Sequence, residues 1–186
     1  GEGPRYFLAT NVVFSPDGQR MAYTVITHDG QFVIVDGHEE KTYELVMMPT
    51  FSHDSKILAY AVQQTAKDAD GYNNLAVING VDGKIYEAVT DGSITFSPDS
   101  RRVAYVAEIN DEWFVVDDGR EGKRFGSILN VTAEITFSPD NRRIAYGAEF
   151  DTHRYVILDS IQSAPYREVY SLRFDPQSRH AAYVAE

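Results

Sequence analysis

The chain has 186 residues, 43% hydrophobic and 12% aromatic, which is enough for a packed interior and too apolar for disorder. Its net charge of −11 opposes binding to nucleic-acid phosphates or anionic membranes, and no run of Lys or Arg makes a basic patch. Cysteine is absent, which excludes disulfides and Cys-ligated metal sites, and no apolar stretch is long enough to span a membrane as a helix.

In chain order, Glu2-Gly3-Pro4-Arg5-Tyr6 comes first, and it matches Glu121-Gly122-Lys123-Arg124-Phe125 further on. Then comes Phe14-Ser15-Pro16-Asp17, which recurs as Phe51-Ser52-His53-Asp54, Phe96-Ser97-Pro98-Asp99, Phe137-Ser138-Pro139-Asp140 and Phe174-Asp175-Pro176. The Phe anchors are 37, 45, 41 and 37 residues apart, and a period near 40 marks a repeat architecture. Each unit reads as four short strands, A to D, because its apolar runs are rich in β-branched and aromatic residues and bounded by Pro, Asp, Asn or Gly.

Strand A ends at the repeating Phe, and the Ser-Pro-Asp that follows suits a tight turn, with Pro fixing φ and Asp bonding its own backbone. Turn chemistry therefore accounts for Asp17, Asp54, Asp99 and Asp140 without a metal. A cation precedes strand B in most units (Arg20, Lys56, Arg101, Arg142, Arg179) and is placed to pair with a turn Asp. Strand B carries Ala-Tyr at 22–23, 59–60, 104–105, 145–146 and 182–183, a small residue on one face and a ring on the other, so that neighbouring sheets interlock. Asp36-Gly37, Asn79-Gly80 and Asp118-Gly119 mark type I′ hairpins between C and D, with Asp159-Ser160 as the departure.

Such units bury both faces only when set radially, so the expected fold is all-β, a β-propeller in one domain over residues 1–186. The motif Phe-Ser-Pro-Asp-Gly-x-Arg-x-Ala-Tyr resembles the WD40-like, TolB-type (PD40) propeller repeat of bacterial proteins, although the Trp-Asp dipeptide of WD40 repeats is missing. The resemblance covers nearly the whole chain. It implies a binding scaffold and an extracytoplasmic bacterial setting, but no particular ligand.

The units fall at about 11–46, 48–88, 93–129, 134–169, and 171–186 together with 1–10. Four blades are then complete, and a fifth combines the C-terminal strands A and B with the N-terminal segment, read as a strand D. Three arrangements remain open: a five-bladed ring closed within one chain, a larger ring closed between two chains, and a piece of a longer propeller. The start at Gly1 fits a removed leader or a cut from something longer. The incomplete blade is the expected site of any self-association.

With A–B and C–D loops short and repetitive, function is expected on the B–C and D–A loop face or along the innermost strands. One and three residues before each Phe, alternation places Thr50, Thr95, Thr136 and Arg173 on one face with Asn11, Met48, Ser93, Glu134 and Ser171. Asn11, Thr50, Thr95, Glu134, Thr136 and Arg173 are the candidates for holding a ligand in a central channel. The B–C loop from about Gln64 to Asn73 is the longest, and it offers Asp68, Asp70, Tyr72 and Asn73 to a partner. It lacks the acid and the bidentate Glu of a calcium loop, and the five His have no ligand spacing, so no metal or other cofactor is expected.

The leading functional expectation is a non-catalytic module for a protein or glycan partner. A carbohydrate-active enzyme is the alternative. It would need two carboxyl groups about 5 to 9.5 Å apart, and only Asp91 and Glu134 fall in suitable segments. A propeller piece or engineered assembly that dimerises through its broken blade is the third reading.

Overall fold

The computed structural model describes residues 7–66, 71–129 and 134–186. The chain divides into two compact units, Gly1–Ile94 and Thr95–Glu186. Every element among the described residues is a strand.

In the first unit, Leu8–Phe14, Met21–Thr27, Gly30–Val35 and His38–Glu39 form one antiparallel sheet in that order. In the next sheet Leu45–Val46 and Thr50–Phe51 both pair with Leu58–Thr65, followed by Tyr72–Ile78 and Val81–Asp82. In the second unit, Thr95–Phe96, Val103–Ile109, Glu112–Asp117 and Arg120–Glu121 lie side by side. Ser127–Ile128 and Thr136–Phe137 then share Ile144–Phe150 as partner, with His153–Leu158 and Ile161–Gln162 beyond it. Val169–Phe174 and Ala181–Ala185 make a final two-stranded sheet.

Three details depart from the sequence reading. Leu8–Thr10 pair with Thr24–Ile26, so this stretch opens strand A of the first sheet rather than ending a strand D at Thr10. The matching Leu45–Val46 do the same in the second sheet, and the part of the expected strand D at residues 1–6 lies outside the described residues. The ladder slips between Thr10 and Val13 and again between Tyr170 and Arg173, where Asn11 and Ser171 take φ of 53° and 54°. This bulge breaks the alternation that put Asn11 and Ser171 on the face of the residue before Phe. Finally, strands run through Thr65 and from Tyr72, so Tyr72 and Asn73 are strand residues paired with Thr65 and Gln64, while Asp68 and Asp70 lie outside the described residues.

The turn after each Phe is built by side chains. Ser15, Ser52, Ser97 and Ser138 donate through Oγ to Asp17, Asp54, Asp99 and Asp140 at 2.6 to 2.7 Å. The same Asp carboxylates accept from the backbone N–H two residues on, at 3.0 to 3.2 Å. In the last repeat Asp175 replaces the serine and accepts directly from the N–H of Arg179 and His180.

The serine hydroxyl is the largest cause holding all four carboxyls below the usual carboxylate range. A carboxyl whose folded pKa is depressed stabilises the fold fully above its unfolded value near 3.8, and that contribution is lost as pH falls through the lower folded value. The urea midpoint should therefore be level between about pH 7 and 5 and fall below about pH 4. Asp99→Asn with Asp140→Asn should make that fall shallower. A midpoint unchanged down to about pH 3 would contradict the assignment.

Sheets interlock through the Ala-Tyr pair. Ala22 and Val33 of the first sheet pack with Phe51, Leu58, Tyr60 and Val62 of the second. Ala104, Val106 and Val115 pack in the same way with Phe137, Ile144 and Tyr146, and Ala145 and Val156 with Leu172 and Tyr183. In strand D the chain folds against strand C closely enough that a Cβ on Gly83 would lie 2.8 Å from the carbonyl oxygen of Ala76, which accounts for glycine after the acidic residue.

Adjacent sheets are also tied by polar contacts. The N–H of Asp17, Asp99 and Asp140 donates to Ser55 Oγ, Asn141 Oδ1 and Ser178 Oγ of the next repeat at 3.1, 2.9 and 2.9 Å. Among the described residues, the cation expected to pair with the turn Asp makes a close ion pair as Lys56 with Asp54, at 3.4 Å, while Arg101 and Arg142 act on Asp99 and Asp140 by charge at longer range. The stronger contacts come from Arg20, Arg102 and Arg143, next to strand B. Each pairs with an Asp at the end of strand C: Asp36, Asp117 and Asp159. Arg20 also reaches the following sheet, lying 5.2 Å over the Phe51 ring and donating to the carbonyls of Ser55 and Lys56 at 3.2 and 2.7 Å. Arg102 repeats this over Phe137 at 4.9 Å, with Asn141 as carbonyl acceptor at 2.8 Å.

Candidate functional site

The first unit carries a half-open groove of about 330 Å³ along its innermost strands. Its lining comes from three stretches: Val13, Phe14 and Pro16; Met48, Pro49, Thr50 and Phe51; and Gly92 and Ile94. Phe14 and Met48 are 65% and 55% exposed, so large apolar surface stands open to solvent here. The position of Met48 is fixed by its N–H, which donates to Asp91 Oδ1 at 3.1 Å. Gly92 takes φ of 69°, which turns the chain back toward strand A of the third repeat. Among the described residues, the only side-chain polar group in the lining is the Thr50 hydroxyl. Next in the chain after Pro16 is Asp17, whose carboxyl the Ser15 hydroxyl and the Gln19 N–H hold below the usual carboxylate range.

Of the residues singled out in the sequence, Thr50 lines this groove. Asn11 is half-buried at the bulge, within 3.5 Å of the Thr10 hydroxyl. Thr95 and Thr136 are half-buried at the equivalent strand position, opposite Ala104 and Ala145. Glu134 is exposed, and among the described residues Arg173 makes no ion pair with it; Arg173 donates instead to the carbonyl of Leu172 at 3.1 Å. Tyr72 is 59% exposed and Asn73 half-buried at the outer end of their strand. Phe14, Pro49, Gly92 and Ile94 escaped the sequence reading. The available signal was Met48, the one apolar residue in a set otherwise made of Asn11, Ser93, Glu134 and Ser171.

No family model matches the sequence, and no curated protein does. Solved structures match by fold. The β-propeller domain of the Trilobed protease from Pyrococcus furiosus is similar over 98% of this chain and 69% of its own, at 12% identity and a TM-score of 0.54. A eukaryotic initiation factor is similar over 91% of this chain and 46% of its own, at 13% identity and a TM-score of 0.54. TolB from Acinetobacter baumannii is similar over 95% of this chain and 43% of its own, at 13% identity and a TM-score of 0.44. This chain thus spans 69% of the first and less than half the length of the other two. The fold is a β-propeller, and the sheets agree with about five blades.

Proposed function

We propose that the protein is a non-catalytic binding scaffold that seats an apolar side chain of a protein partner in the groove around Met48 and Thr50. The observation that carries this reading is the lining: among the described residues its side chains offer no acid, base, amide or thiol, and a single hydroxyl. A glycan would need many hydrogen-bonding groups, whereas a Leu or Phe side chain needs only surface to cover. Asp91, one of the two carboxylates a glycosidase reading requires, already serves the Met48 N–H. Closure of the incomplete blade by a second copy stays a separate proposal, tested by mass in solution.

Methyl NMR on Met48, Thr50 and Ile94 tests the binding reading. A panel of short peptides, each carrying one Leu, Phe or Trp, should include members that shift these signals saturably. Met48→Arg should weaken the best of them about tenfold, the equivalent of about 1.4 kcal/mol. Silence across the panel, or equal binding by the Met48→Arg protein, would remove the groove from consideration.

A further inference from the structure

A second cavity, of about 270 Å³, lies in the other unit and is lined by Lys123, Arg124, Phe125, Phe150 and Gln162. We propose that it binds a small organic acid, with the carboxylate held by Lys123 and Arg124 and a flat apolar body against Phe150.

Both cations sit over aromatic rings. Lys123 Nζ sits 5.5 Å over Phe125, and the Arg124 guanidinium 4.5 Å over the buried Phe114. Neither is fully engaged. Lys123 spends one of its three donors on Gln162 Oε1, at 2.5 Å, which leaves the amide NH₂ of Gln162 as that side chain's free end. The contacts of Arg124 are all long: 3.5 Å to the Ile109 carbonyl, 3.4 Å to Glu121 and 3.8 Å to Glu112. A guanidinium with five donors makes bonds near 2.8 Å when a carboxylate meets it face on, so its hydrogen-bonding capacity here is largely unspent. Glu112 and Glu121 approach Arg124 but do not line the cavity. Among the described residues the lining's one side-chain acceptor, Gln162 Oε1, is taken by Lys123, and what is left unspent is donors, so a ligand must bring acceptors.

The apolar part of the site is Phe150, 54% exposed at the end of its strand, where the tight turn at Asp151 and Thr152 holds it. A bare ring on a cavity wall favours a planar apolar partner, which stacks on it without needing a hydrogen bond. The protein's charge of −11 repels anions in general, so binding of an acid would report this local site rather than the surface at large.

The test uses phenylacetate with the 186-residue chain, followed by calorimetry and by the Gln162 side-chain amide signal. Phenylacetamide, which lacks the charge, and acetate, which lacks the ring, are the comparators. Phenylacetate should bind saturably and at least about tenfold more tightly than either, the effect of one charge-assisted hydrogen bond. Lys123→Met and Phe150→Ser should each remove most of that preference while melting like the parent, since both positions are exposed. Equal binding of acid and amide, unsaturable binding of phenylacetate, or an unchanged preference in Phe150→Ser would each overturn the assignment.

Discussion

Phe137→Ala should cost about 3–5 kcal/mol of stability in a urea melt, while Phe14→Ala should change it by no more than about 0.5 kcal/mol. The two residues hold the same place in the repeat motif. Phe137 is 8% exposed and packs among Ala104, Val106, Val115 and Tyr146, so truncation leaves a cavity in an interior that cannot close around it. It also removes the ring beneath the Arg102 guanidinium. Phe14, at 65% exposed, has little packing to lose. What Phe14→Ala removes is part of the groove's apolar lining, so peptide binding should fall while the melt stays put. A large loss of stability at Phe14 would mean that its ring is core, and would withdraw it from the binding site.

Arg102→Ala should cost about 2–3 kcal/mol, measured in the same way. The guanidinium bonds Asp117 through Nε at 3.2 Å and through its second terminal nitrogen, donates to the Asn141 carbonyl at 2.8 Å, and stacks on Phe137. Its side chain is 25% exposed, so solvent screens the pair only in part. Truncation strands a half-buried carboxylate and a carbonyl, which is why the loss should exceed that of a surface ion pair. Arg102→Lys should recover less than half, because an ammonium cannot meet two acceptors and a ring from one plane. Arg101→Ala, one residue earlier and exposed, should be neutral within about 0.5 kcal/mol. A neutral Arg102→Ala would show that the tie between these sheets rests on apolar packing alone.

That pair of arginines marks where reading the sequence stops. Turns, strands and the interlocking Ala-Tyr faces follow from local rules, because Pro, Asp and β-branched residues act within a few positions of themselves. The arginines do not. Arg101 and Arg102 are chemically alike, and only the pleat at the start of strand B decides which one faces the neighbouring sheet. The bulge at Asn11 was equally hidden, since asparagine at positive φ costs little and leaves no mark in composition. Asp151 and Thr152 make a two-residue turn with φ of 53° and 67°, although threonine is a poor signal for one. The groove was hardest to see. It gathers apolar residues from three separate stretches, and nothing in a sequence tells an apolar residue left open from one that is covered. Met48 alone stood out against its counterparts.

The grip of Arg20 on Ser55 and Lys56, and of Arg102 on Asn141, runs one way along the chain, from each repeat to its successor. The second repeat has Ile57 at this position and the last has His180. The repeats are therefore not interchangeable parts. A shuffled gene that sets the second repeat where the first or third now stands would keep the fold's outline and forfeit the handhold, so the order of modules is itself inherited information.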